Sequence, residues 1–312
     1  MFSLYNYGRM IGDPIRMGAY SQALRAAIKP GSVVLDLGTG FGIMAMLACQ
    51  YGARHVYAID TSDVINAGRK LATQNAMADR ISFIQEDSRS WSVPEPVDVI
   101  VSDLRNVLPL HGTHIETIVD AKNRFLAPDG VLIPGSDKMF CSVIEAPDLY
   151  ARYVTPWEPN NYGLDFSSPQ ALLANQWSRV SATHEQLITS DALLWELKYD
   201  QLQTTDFSMT TCLETKRQGQ GHGLLMWFET ELIEGVGFST SPRGPSTGYG
   251  MCFFPFAKPL NMQRHDQVLV DVDARLMAGK YEWSWQATLR DSIGNKKAVT
   301  GQSTMLSNLN IY

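Results

Sequence analysis

The stretch "SVVLDLGTGFGIMAMLACQYGARHVYAID", residues 32–60, decides the fold. "SVVLDL" is a short apolar run of strand length. "GTGFG" interrupts it with Gly38, Gly40 and Gly42, and "IMAMLACQYGA" follows with an apolar helical pattern. "HVYAID" is a second strand, and "SDVINAGRKLATQNAMA" a second amphipathic helix with Ser62 at its N-cap position. "RISFIQED" and "VDVIVSD" read as strands three and four. The helix "THIETIVDAKNRFL" then passes through the turn "APDG" into "VLIPG". Strands alternating with helices of this length predict an α/β fold with a parallel, doubly wound sheet over residues 1–134.

After Pro134 the pattern changes. Strand-like runs such as "LLMWFETEL", "CFFPF", "QVLVDVDARL" and "YEWSWQATL" are separated by Gly/Pro/Ser clusters, so residues 135–312 read as an antiparallel β domain, a sandwich or barrel. Trp283 and Trp285 share one face of a strand and are expected in its core.

Composition narrows the function classes. The 312 residues are 45% hydrophobic and 19% charged with a net charge of −6, an ordinary globular composition. No Lys/Arg run forms the basic stripe of a nucleic-acid binder. No apolar segment reaches membrane-span or signal-peptide length. Cys49, Cys141, Cys212 and Cys252 form no CxxC pair, so neither a zinc site nor a disulfide framework is expected. A cytoplasmic protein is the expectation.

Glycines between a strand and a helix let the backbone turn sharply and approach a ligand without a Cβ in the way. Asp60 ends the next strand, with Thr61 beside it, at the distance of an acid that holds ribose hydroxyls. A dinucleotide fold wants a third glycine where Ile43 stands, and it has no particular use for Asp36. A carboxylate at Asp36 suits S-adenosylmethionine, because it can orient the loop and favour the cationic amino-acid end of that cofactor. Asp87 and Ser88, after strand three, fall where adenine would lie.

The acceptor side of the site is expected in "VDVIVSDLRNVLPLHGTHIE", residues 97–116. Asp103 follows strand four at the sheet edge where doubly wound folds bind their substrates. Arg105 lies two residues on, as a catalytic-loop cation or a surface ion-pair partner. His111 is the candidate base, suited by its pKa. His114 reads as a solvent-facing loop histidine, and "THIE" as a capping box with Thr113 as N-cap and Glu116 at the third position.

With these residues in view, the chain resembles the protein arginine methyltransferase family over nearly its whole length. "MIGDPIRMGAY" looks like the family's helix over the cofactor, and Arg16 matches the arginine that holds the cofactor carboxylate. "AKNRFLAPDGVLIP" resembles the segment joining two domains, "WEPNNYGLDF" part of a dimerisation arm, and "GFSTSPRGPSTGYG" the barrel loop that returns to the active site. The resemblance implies a Rossmann-like domain, a β-barrel and an arm, at about residues 148–177, that pairs two subunits into a homodimer.

The departures bear on chemistry. The family holds a substrate guanidinium with two glutamates, and an ungapped reading puts Asp103 at the first position and Gly112 at the second. Thr247, Gly248 and Tyr249 stand for its Thr-His-Trp loop, and Tyr5 and Tyr7 are what stands of its N-terminal Tyr/Phe helix. Three functions fit these residues: methyl transfer to a small molecule or peptide, as in natural product biosynthesis; arginine methylation by a remodelled site; or cofactor binding without catalysis, as a scaffold. The first is the expectation.

Overall fold

Strand β1 (Val33–Leu37) is buried along its whole length, so its side chains, Asp36 excepted, are apolar on both faces and show no alternation. The computed structural model describes residues 4–154, 157, 162–165, 169 and 172–307. Around β1 lie four more parallel strands, β2 (His55–Ile59), β3 (Ile81–Ile84), β4 (Val97–Ser102) and β5 (Leu126–Ile133), in the order β3-β2-β1-β4-β5. The chain moves outward from β1 to β3 and then returns to the other side of β1 at β4. Loops after β1 and β4 therefore diverge, and doubly wound sheets bind their ligands at that switch point.

Helices α1 (Leu4–Ile11), α2 (Pro14–Ala27), α3 (Ile43–Gln50), α4 (Ile65–Gln74) and α5 (His114–Phe125) complete this part of the chain. Val33, Leu35, Leu37, Ile59, Val97, Ile100, Ala121 and Phe125 form one continuous core cluster between sheet and helix. Full burial of each such large apolar side chain stabilises the fold by about 1.5–3 kcal/mol. The turn expected at "APDG" is looped out within β5: Leu126 pairs with Val97, and the ladder resumes with Val131 opposite Val99.

"MIGDPIRMGAY" is broken into two helices. Asp13 caps α2 by accepting from the backbone N–H groups of Ile15 and Arg16, and Pro14 occupies the first turn. Ser62 does not cap α4, which starts at Ile65; its N–H and hydroxyl both turn back to the Asp60 carboxylate. Nor does Thr113 cap α5 through its side chain, and Glu116 points to Arg89 at 3.7 Å. The hydroxyl of Thr113 accepts from Thr117 one turn further on, so the "THIE" capping box is not formed.

The chain divides into two units. One comprises residues 1–137 together with 197–203 and 229–239, and the other residues 138–196, 204–228 and 240–312. The break after Asp137 lies three residues beyond the expected boundary. The two later segments join the first unit because Tyr199 N–H donates to the Gly135 carbonyl, and Gly135 N–H to Glu231 and Leu232.

The rest of the chain forms β6 (Ser136–Ile144), α6 (Pro147–Val154), β7 (Ser178–Val180), β8 (Ala192–Lys198), β9 (Phe207–Glu214), β10 (Gly219–Ile233), β11 (Val236–Ser239), β12 (Met251–Met262), β13 (Gln267–Met277), β14 (Lys280–Arg290) and β15 (Lys296–Ser303). One sheet runs β7-β12-β10-β6-β8, with β11 on β10, and the other β15-β14-β13-β9. An isolated bridge, Thr189–Thr215, joins their edges, and the Trp285 indole donates to Pro255 across them. Trp283 and Trp285 lie in the core, each 2% exposed. Part of the arm-like stretch, including half of "WEPNNYGLDF", lies outside the described residues; within it Tyr162 is 80% exposed. All four cysteines are free thiols. No helix among the described residues is long and apolar enough to cross a membrane.

Candidate active site

The loop after β1 is held by backbone geometry and nearby carboxylates. Gly38, Gly40 and Gly42 have φ of 75°, 53° and 75°, the left-handed region that side chains disfavour. A Cβ on Gly38 would lie 2.3 Å from Leu104 Cδ2, and one on Gly40 would lie 3.0 Å from Tyr7 Cε1. Bare backbone is therefore packed between the α1 tyrosine and the loop after β4. Asp36 accepts from the Thr39 hydroxyl (2.5 Å) and the Ala45 N–H (3.0 Å), tying the loop to the first turn of α3. Burial raises its pKa to about 7 despite these donors. Asp60 receives the Gly40 N–H at 2.8 Å, so the second carboxylate clamps the same loop from β2.

Two cavities meet at Gly38. One is lined by Asp60, Thr61, Asp87, Ser88, Leu104 and Thr117, and the other by Tyr7, Arg16, Asp36, Thr39, Gly40 and Asp103. Every expected cofactor residue except Gly42 lines one of them. Gly42 instead packs against Phe83, where a Cβ would meet the ring at 2.9 Å. Ser88 is buried, while the Asp87 carboxylate is bound by the Arg89 guanidinium, which holds its pKa below the usual carboxylate range.

The loop after β4 is a chain of buried charges. Arg16 and Asp103, with side chains 8% and 7% exposed, pair at 2.6 Å. Arg16 also donates to the Met10 carbonyl. The second oxygen of Asp103 faces Arg105 Nε at 3.3 Å. Arg105, whose side chain is 0% exposed, further donates to Asp137 (2.7 Å), to the Thr230 hydroxyl (2.8 Å) and to the Tyr20 hydroxyl. Tyr20 passes its own proton to the Ser102 carbonyl at 3.0 Å. The surface ion pair considered for Arg105 is thus not what forms, because Asp137 supplies a fully buried partner.

His114 is not solvent-facing. It is buried, with Nε2 3.0 Å from the Tyr199 hydroxyl, and Tyr199 donates to the remaining oxygen of Asp137. Since the tyrosine proton goes to the carboxylate, His114 Nε2 carries the hydrogen in this network, and Nδ1 is left without a partner. Burial first, and then the nearby Arg105 cation, lower the His114 pKa to about 3. His111, by contrast, is exposed, and desolvation by the surrounding protein holds its pKa below the usual imidazole range. Gly112 has φ 50°.

Tyr20, Asp137, Tyr199 and Thr230 were not expected at the site. The sequence signal for Tyr20 was available: Asp13-Pro14 is a helix start, and Tyr20 lies one turn beyond Arg16 on the same face. The other three come from remote segments, and no local pattern marks them.

Comparison with known proteins places the two halves in one setting. The family model for the arginine methyltransferase oligomerization subdomain matches residues 136–281, and that of the ribosomal protein L11 methyltransferase matches residues 20–135. The chain is an arginine-methyltransferase-like class I methyltransferase. It is 26% identical to protein arginine N-methyltransferase 8-B of Danio rerio, over 85% of this chain and 65% of that protein. It is 27% identical to protein arginine N-methyltransferase 1 of Schizosaccharomyces pombe, over 87% and 82% of the two. In fold it is similar to protein arginine methyltransferase 10 of Arabidopsis thaliana, at TM-score 0.85, 20% identity and coverage of 97% and 98% of the two chains. The Trypanosoma brucei PRMT1 enzyme–prozyme heterotetrameric complex with AdoHcy gives TM-score 0.86, 22% identity and coverage of 95% and 97%.

Proposed function

We propose that this methyltransferase moves the methyl group of S-adenosylmethionine to a small-molecule or peptide acceptor other than a protein arginine. Asp60 and Thr61 would hold the ribose, Asp87 and Ser88 the adenine side, and Asp36, Arg16 and the backbone of Gly38–Gly42 the amino-acid end. These residues fit the group: bare glycine backbone lines a two-lobed cavity with a strand-end carboxylate at one lobe and a buried arginine at the other. The bound cofactor supplies an electrophilic methyl group on a sulfonium.

The observation that carries the acceptor reading is the state of Asp103. A desolvated guanidinium needs paired carboxylates, because an uncompensated buried charge costs several kcal/mol. Both oxygens of Asp103 already face arginines of this chain, and the second glutamate position is Gly112. In-line displacement needs an aligned acceptor with a free lone pair. Asp103 would align it, and exposed His111, neutral near pH 7, would take its proton.

The same reading implies a two-fold homodimer, since the second half matches an oligomerization subdomain and exposes Tyr162 and Leu164. Light scattering near 35 kDa at tens of micromolar would count against it. Incubation of the unmutated enzyme with labelled cofactor and an arginine-rich peptide should give no label above background, while a small-molecule extract should yield a labelled product. Efficient peptide labelling would instead make this a remodelled arginine methyltransferase. His111→Ala should remove the acidic limb of the pH–rate profile, where the base protonates, and His114→Ala should leave it in place.

A further inference from the structure

We infer that Arg105 and Asp137 are specificity-determining residues that select an acceptor with no positive charge at its reacting atom, an inference that rests on the methyl-transfer reading above. Arg105 is a guanidinium the protein supplies to itself. Its Nε faces Asp103, Nη1 donates to Asp137 and Thr230, and Nη2 donates to Tyr20. Its guanidinium carbon also lies 5.9 Å from the Tyr20 ring centre and 5.8 Å from that of Phe238.

Net stability does not account for the arrangement. A buried ion pair gives little net stability compared with apolar side chains of the same volume, whereas loss of one partner is costly. The consequence of the pair is therefore electrostatic. Within the ion-paired set Arg16 and Arg105 contribute two positive charges and Asp103 and Asp137 two negative ones, so these four side chains sum to zero. Asp36, in the same cavity as Arg16 and Asp103, is held by Thr39 and Ala45, and burial raises its pKa to about 7. His114, on the far side of Tyr199, is neutral and adds nothing.

A cationic acceptor brought beside a sulfonium requires an excess of negative charge, and this set has none to offer. An uncharged hydroxyl or amine, or an ionised phenol or carboxylate, requires no such excess. Arg105 also cannot swing aside to free Asp103, because that would strand Asp137, whose other oxygen is taken by Tyr199. Asp137 thus acts through Arg105: it fixes the cation that occupies the carboxylate.

The test reads the field in the cavity that Asp103 lines, by calorimetric affinities for S-adenosylmethionine and for S-adenosylhomocysteine, which lacks the sulfonium charge. Arg105→Met leaves Asp103 with one cation instead of two, and the affinity ratio of the charged to the uncharged ligand should rise roughly tenfold. Arg105→Lys keeps the charge and should hold the ratio within about twofold of the unmutated protein. Should Arg105→Met fail to fold, Asp137→Asn leaves a surplus cation and should move the ratio the other way. A role confined to structure would weaken both ligands equally in every variant, and that result would overturn the inference. The ratio does not depend on the acceptor, so its failure would leave the proposed function standing. Arginine-peptide methylation by the unmutated enzyme would remove that function whatever the ratio does.

Discussion

The loop after β1 and the loop after β4 leave the same edge of one sheet from adjacent strands, yet they are held in different ways. Partners of the first lie close along the chain: Asp36 binds Thr39 and Ala45, three and nine residues on, and Asp60 reaches Gly40, 20 residues back. Partners of the second are scattered. Asp103 pairs with Arg16 across 87 residues, Arg105 with Asp137 across 32 and Thr230 across 125, and His114 with Tyr199 across 85. The first loop leaves bare glycine backbone lining two cavities, with Asp36 and Asp60 hydrogen-bonded to the loop itself. The second uses its charges on one another. A glycine loop of this kind suits a cofactor that many enzymes share, whereas a loop fixed by remote side chains can be re-specified wherever those side chains change.

The largest effect is expected on the first loop. Asp60→Ala removes the proposed ribose acceptor and frees the Gly40 N–H together. Hydrogen bonds to charged groups contribute about 1.5–3 kcal/mol, so calorimetry should show cofactor binding weakened by roughly 100-fold or lost. Binding unchanged in this variant would remove the glycine loop from the account.

Next comes the pH dependence of the second loop. His114 holds its proton far more weakly in the folded chain, at about 3, than at its ordinary 6.5. Between those values the unfolded chain takes up more protons, so stability falls as pH falls through this window, by up to about 1.4 kcal/mol per unit. Asp36, raised to about 7, acts in the opposite sense: the folded chain keeps its proton longer, and stability falls as pH rises toward 7. The difference between His114→Gln and the unmutated protein cancels the Asp36 contribution. In urea unfolding from pH 7 to 4, that difference should grow in favour of the variant as the pH drops. A constant difference would mean that His114 is not held neutral.

Gly112→Glu should destabilise by about 1–2 kcal/mol, because Gly112 sits at φ 50° where a side chain is strained. It should also give no arginine methylation by itself, since Asp103 stays paired. The smallest effect belongs to Glu116→Ala. Its carboxylate is exposed and 3.7 Å from Arg89, so the thermal midpoint should shift by no more than about 0.5 kcal/mol allows. A larger loss would restore Glu116 as a functional carboxylate.

The same contrast explains what could be read in the sequence. β1 to β5, the glycine loop and the place of Asp60 at a strand end follow from apolar runs, glycines and strand-end acids, all of them local signals; the bond from Gly40 N–H to Asp60 is not among them. The capping box at "THIE" misled because Thr113 and Glu116 have the right spacing, yet in the fold Thr117 and Arg89 compete for them. His114 reads as a loop histidine until Tyr199 arrives from a distant segment to bury it. Arg105 looks like a free cation because Asp137 lies beyond β5. Where each partner is remote, residue type shows that a charge is present but not whether it is already spent.

One titration tests the contrast most directly. S-adenosylhomocysteine is titrated calorimetrically into the unmutated protein, and an arginine-rich peptide is then titrated into the complex. The account predicts micromolar binding in the first step and no heat beyond dilution in the second. Saturable peptide binding to the complex would contradict it, as would a first step with no binding.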